Sequence, residues 1–196
     1  MATQADMILA TVYNELGIQE FTHEQKYQQI NNIVTALQNQ NEQSTINPKT
    51  TGTISERLCE LALLARVPEI YKRISDKWNW MADFSILGHP FNLLISVKSF
   101  KAKERLLVSG SGNILSPTVG WGLMNDEHEW TETRTRLYLY KSFIAIYIPN
   151  ALFDSINQTS RDIRNINGRP LLRRVSNFME DLTNSIENEV IDITSF

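Results

Sequence analysis

Asp83 and Lys98 are the residues whose types and spacing best suit chemistry in this chain. They bracket the stretch DFSILGHPFNLLISVK, which reads as a β-hairpin. The runs 82–87 and 92–97 are short, apolar and rich in strand formers, and Gly88-His89-Pro90 between them is a turn signal. Side chains alternate along a strand, so Leu94, Ser96 and Lys98 share one face and Leu93, Ile95 and Val97 the other. The entry of the first strand can then bring Asp83 beside the exit of the second. A carboxylate and an ammonium converging there could hold a divalent cation and a water next to a phosphodiester.

Helices are predicted upstream of this hairpin. Residues 2–16 and 23–40 place Ile8, Leu9 and Val12, then Tyr27, Ile30, Val34 and Leu37, at spacings of three and four. The polar stretch 39–52, with Pro48 and Gly52, reads as a linker or long loop. Thr53-Ile54-Ser55-Glu56 then fits a capping box that opens the helix ISERLCELALLARV. Glu56 and Glu60 lie four apart and share one side of it. Pro68 starts a further short helix to about residue 78, which delivers the chain to the hairpin.

Downstream, Lys101, Lys103 and Arg105 cluster around Glu104. The stretch SGSGNILSPTVGWG reads as a glycine-rich loop able to present N–H groups to phosphate, although no Gly-Lys-Ser/Thr follows to make it a nucleotide P-loop. Asp126, Glu127, His128 and Glu129 form an acidic turn. Residues 143–148 are the clearest buried strand, predicted to pair with 137–140, and a final helix is expected from about Pro170. Helices, then strands, then helices point to an α+β (α/β) fold with a central mixed β-sheet flanked by helices.

The 196 residues suffice for one buried core, so a single domain, 1–196, is expected, with residues 1–45 as an N-terminal helical arm and 150–196 as a C-terminal helical segment. No apolar run approaches the length needed to cross a bilayer, and an acid stands where an export signal wants a basic region. The single cysteine, Cys59, forbids an internal disulfide and suits a reducing, cytoplasmic setting. Net charge is −3, but residues 98–174 hold 12 Lys/Arg against 7 Asp/Glu. Polyanion binding needs such a local surface rather than a basic total.

A helix with a glutamate, an aspartate at a hairpin entry and a strand ending in x-x-Lys resemble the PD-(D/E)xK nuclease superfamily, and among its members the type II restriction endonucleases. The resemblance covers residues 53–148, the catalytic core of a restriction-endonuclease-like fold. Met81-Ala82-Asp83 stands where Pro-Asp is usual, Ser96-Val97-Lys98 where Glu-x-Lys is usual, and Glu56 where many members place an extra glutamate. Endonucleases that cleave sites with a CCGG core have a similar Ser-x-Lys and take the missing acid from a following helix. That position falls near Gly112 here, so the second metal-binding carboxylate would come from Glu56, Glu60 or Glu104, or be absent.

The resemblance implies a Mg²⁺-dependent hydrolase of double-stranded DNA, with no organic cofactor and no membrane, acting as a homodimer within a restriction-modification pair. Asp83 would bind the metal together with Glu56 or Glu60, Ser96 would add a neutral oxygen, and Lys98 would serve the attacking water. Lys101 and Lys103 would meet phosphates, while Glu104 and Arg105 would read bases. Two other readings keep a place: a catalytically silent DNA-binding protein of the same fold, and a helical interaction protein with no nucleic-acid role.

Overall fold

A computed structural model describes residues 2–43, 46–99, 116–124, 126–141 and 143–196. Among these, six strands form one sheet and lie side by side in chain order. They are β1 (Tyr71–Arg73), β2 (Phe84–Ile86), β3 (Leu93–Lys98), β4 (Thr118–Gly122), β5 (Phe143–Ile148) and β6 (Leu172–Arg174). The first three pair antiparallel and the last four parallel, so the sheet is mixed and the fold α/β, as expected. Strands covered on both faces read as nearly unbroken apolar runs, and LLISVK and FIAIYI are buried almost throughout.

One face carries α1 (Gln4–Glu15), α2 (His23–Gln28), α3 (Ile30–Gln43), α4 (Pro48–Arg66) and α8 (Phe178–Ser185). Val12, Ile33, Leu58 and Phe178 from these helices meet Phe84, Ile95, Val97 and Trp121 of the sheet in the larger core. The opposite face carries α5 (Glu132–Leu139) and α6 (Asn150–Ser155), where Tyr138 and Leu152 pack on Phe143, Ile146 and Ile148. These helices, with α7 (Gln158–Arg161), lie on the crossovers β4 to β5 and β5 to β6. Parallel steps taken in one direction with a fixed hand of crossover leave their helices on a common face.

The first 43 residues are tightly joined to this sheet. Thr3 and Asp6 close a capping box on α1, Thr22 and Gln25 do the same on α2, and the buried Tyr27 hydroxyl donates to Val175 O at 2.7 Å. A short hairpin, β7 (Ile186–Glu187) and β8 (Val190–Ile191), returns to the β2–β3 turn, where His89 N donates to Glu189 O at 2.9 Å. A Cβ on Gly88 would sit 2.6 Å from the Ile191 side chain and 2.8 Å from Glu189 O, so only glycine admits this return.

Several local expectations change. The helix expected from Thr53 begins at Pro48, because Asn47 caps it and proline suits the first helical position. Thr53 donates instead to Lys49 O inside that helix. Residues 68–78 hold β1 and turns rather than a helix, and residues 137–139 belong to α5 rather than to a strand. The stretch after Pro170 enters β6 before α8 begins, and residues 118–122 of the expected glycine-rich loop form β4. No helix among the described residues is long and apolar enough to cross a membrane.

Burial also sets an alkaline limit on stability. It pushes the hydroxyls of Tyr13 and Tyr138 up to about 12, and those of Tyr27 and Tyr147 well above their usual value. A raised folded-state value means that the folded chain keeps protons which the unfolded chain releases. The contribution is therefore intact below pH 10.0, the ordinary tyrosine value, and is lost as pH rises through about 12. Urea melts along an alkaline series should show a flat midpoint below that window and a steep fall within it.

Candidate active site

Lys98 ends β3 at the carboxyl edge of the parallel strands, the edge on which ligands bind in open α/β sheets. Asp83 precedes β2 directly. Its N–H donates to Ile95 O at 2.9 Å, which extends the β2–β3 ladder by one bond and fixes the residue beside the strand end. Asp83 Oδ2 accepts from Val97 N at 2.6 Å and from Lys98 Nζ at 3.3 Å. The two side chains are only 18% and 14% exposed. Desolvating a charge pair is costly, so a pair kept at a strand end needs either strong compensation or a use.

Ser96 shares the face of Lys98 and is fully buried, and its Oγ has no hydrogen-bond partner among the described residues. Its register partner is Gly120, and that of Lys98 is Gly122. A Cβ on Gly122 would stand 2.5 Å from Lys98 O, so the backbones meet there only because the residue is glycine. Leu123 N then donates to Lys98 O at 3.3 Å, which pins the carbonyl of the lysine from the neighbouring strand.

Glu56 and Glu60 project from α4 into a separate cluster. Arg73 Nη1 lies 2.7 Å from Glu56 Oε2, its Nη2 lies 3.1 Å from Glu60 Oε2, and the Tyr71 hydroxyl donates to Glu60 Oε1 at 3.4 Å. Arg73 pairs in register with Phe84, and Phe84 with Ile95, which puts Arg73 on the face covered by α4. Ser96 and Lys98 stand on the other face. The charges of the three acids are nonetheless felt by one thiol. Cys59 is buried, and its thiol is pushed well up by that burial and then by the charges of Asp83, Glu60 and Glu56. The structure thus joins Asp83, Ser96 and Lys98 but ties Glu56 and Glu60 to an arginine.

Lys101, Lys103, Glu104 and Arg105 lie outside the described residues. Of the later arginines, Arg174 is held by Asp154 at 2.5 and 2.8 Å and Arg173 by Asp181 at 2.6 Å, so both serve the scaffold. Within the acidic turn, Asp126 accepts from His128 N at 3.0 Å. Sequence reasoning missed Arg73, and it put Gly122 in a glycine-rich loop rather than at the end of a strand. For Gly122 a signal existed: Val119 and Trp121 alternate with Gly120 and Gly122 at a strand's period of two.

Mg²⁺ keeps several waters and is commonly held by one or two carboxylates together with substrate phosphates. The donor set here fits that mode. Both contacts of the Asp83 carboxylate fall on Oδ2, which leaves Oδ1 and the unbonded Ser96 Oγ among the described residues. No group of three His, Cys, Asp or Glu is gathered into a ready cage among the described residues. Compared with protein-family models, curated proteins and solved structures, the chain has no significant match.

Proposed function

We propose that this chain is a Mg²⁺-dependent nuclease that hydrolyses phosphodiester bonds of double-stranded DNA at a specific site, in the manner of a type II restriction endonuclease. The fold would be the restriction-endonuclease-like form of the PD-(D/E)xK superfamily, with Ser96-Val97-Lys98 in place of the usual acid-x-lysine. The observation that carries this reading is the contact of Lys98 Nζ with Asp83 Oδ2 at 3.3 Å, on the carboxyl edge of a mixed sheet. A single carboxylate and a single ammonium, largely sheltered at a strand end, suit the attack of water on a phosphodiester.

Asp83 Oδ1 and Ser96 Oγ would hold the metal. When bound, Mg²⁺ would polarise the scissile phosphate and make an attacking water more acidic. Lys98 orients or deprotonates that water and opposes the negative charge that grows on the phosphate oxygens. Asp83 has a second task, holding the ammonium in place through Oδ2. Lys101 and Lys103 neutralise flanking phosphates, while Glu104 and Arg105 read base edges, the arginine bidentate to guanine and the glutamate accepting from cytosine. A homodimer matches a palindromic site by its own twofold axis.

A second reading keeps the fold and drops the chemistry. It is favoured by one observation, the engagement of both Glu56 and Glu60 by Arg73, which withholds the second carboxylate. Digestion of phage DNA separates the two. Discrete fragments in Mg²⁺ that vanish with chelator are expected. Duplex binding without any cut in Mg²⁺ or Mn²⁺ would establish the silent form, and binding that is undetectable or indifferent to salt would remove both.

A further inference from the structure

Two of the four tryptophans are spent in the interior: Trp121 and Trp130 are 0% and 1% exposed. Trp78 and Trp80 are 49% and 50% exposed, and both sit on the turn between β1 and β2. That turn is a built one. Trp78 N donates to Ser75 O at 2.8 Å and Met81 N to Trp78 O at 2.9 Å. Ile74 N closes its base on Asp83 O at 3.0 Å, so the loop that displays the indoles ends on the backbone of the site aspartate.

The ring centroids of Trp78 and Trp80 are 6.5 Å apart, with planes 43° from parallel. A flat ring sandwiched between two others needs about 7 Å, twice a contact of about 3.5 Å. The pair is tilted rather than parallel, so one indole must turn and move outward before a flat base lies between the two. Lys77 Nζ lies 5.7 Å from the Trp78 ring, which adds a cation beside the aromatic faces. Lys72 of the adjoining strand β1 is exposed as well. Aromatic faces flanked by cations suit nucleobases with their phosphates better than an apolar protein surface.

We propose that Trp78 and Trp80 form a clamp for one unstacked nucleobase of the nucleic acid handled at Asp83 and Lys98. The inference rests on the nuclease reading for the identity of that polymer, and it narrows the substrate. A strand whose base can leave the stack, at a mismatch, an end or a single-stranded stretch, is preferred over perfect duplex at this point, because extrusion is cheapest there. Stacking tolerates any base, since each presents a π-face, so the clamp contributes grip rather than sequence choice.

The intrinsic fluorescence reads this directly, because only the Trp78–Trp80 pair is open to solvent. The full chain is titrated in Ca²⁺ with a single-stranded oligothymidylate, then with a matched duplex and with the same duplex carrying one central mismatch. Binding is followed in parallel by anisotropy of a labelled oligonucleotide. The expected result is quenching of the exposed emission by the single strand and the mismatched duplex. Trp78→Ala and Trp80→Ala should each weaken that binding about tenfold, and Trp78→Phe should restore much of it. Both residues are surface ones, and unchanged emission from buried Trp121 and Trp130 reports that the variants fold.

Anisotropy showing tight binding with no quenching, and equal affinity in the alanine variants, would overturn the clamp while leaving the nuclease reading intact. Absence of binding by both readouts would remove the nuclease reading and the clamp together. Quenching by perfect duplex as strong as by the mismatched one would overturn the preference for an unstacked base.

Discussion

Replacement of Lys98 by alanine is expected to slow DNA cleavage by about a hundred- to ten-thousand-fold, the usual weight of a positioned proton-transfer group. Folding should survive the change. Lys98 is the last residue of β3, its carbonyl keeps the bond from Leu123 N, and Asp83 retains the Val97 amide as a donor. Duplex binding in Ca²⁺ should therefore persist while the cutting rate collapses. Lys98→Arg separates the two duties of the side chain, because a guanidinium stays charged and cannot accept a proton. If charge alone matters the arginine variant recovers most of the rate; if the lysine is the base it recovers little. Plasmid relaxation rates, with thermal melts beside them, read both. A Lys98→Ala protein that cuts like the parent would end the catalytic assignment.

The largest loss of stability is expected from Asp181→Ala. Its Oδ2 accepts from Arg173 Nη1 at 2.6 Å and also, at short range, from the Tyr147 hydroxyl. Arg173 is 9% exposed, its Nε donates to Pro170 O at 3.0 Å, and its guanidinium lies 6.0 Å from the rings of Tyr147 and Phe196. Its Nη2 is buried without a hydrogen-bond partner among the described residues. Removing the carboxylate leaves a sheltered cation and a buried hydroxyl unanswered, at a cost of about 3–5 kcal/mol. Urea titration measures this directly. Replacing the whole group at once, with Asp181→Leu, Arg173→Met and Tyr147→Phe, should restore much of the loss, because apolar side chains leave nothing unpaired. A loss below about 1 kcal/mol for Asp181→Ala, the level of an exposed ion pair, would show that the group acts as a surface pair.

The sequence revealed those elements that carry their own instructions. The β2–β3 hairpin was legible because two apolar runs flank Gly88-His89-Pro90, and β5 because FIAIYI can be little else. Strands β1 and β6 were not, since YKR and LRR are three residues each and are strands only by virtue of their neighbours. Residues 137–140 misled because Leu137 and Leu139 alternate with tyrosines. The side chains that α5 buries, Thr135 and Tyr138, are three apart, the spacing of a helix.

The candidate site divides in the same way. The approach of Asp83 to Lys98 follows from strand alternation and hairpin pairing, both local. Arg73 and its hold on Glu56 and Glu60 depend on how α4 lies against β1, which no spacing in the chain encodes. The same holds for Trp78 and Trp80, whose solvent exposure is a property of the finished surface.

A sheet whose neighbours are also consecutive in the chain can be laid down as the polypeptide leaves the ribosome, each strand adding to the one before it. The tie between Tyr27 and Val175 is different, for it spans 148 positions. Helices made first can settle on one another and on β2 to β4, but the part of the core that Val175 and Phe178 close stays uncovered until the last quarter of the chain has emerged. Ribosome-stalled chains ending short of Val175 would accordingly be the species that chaperones hold longest.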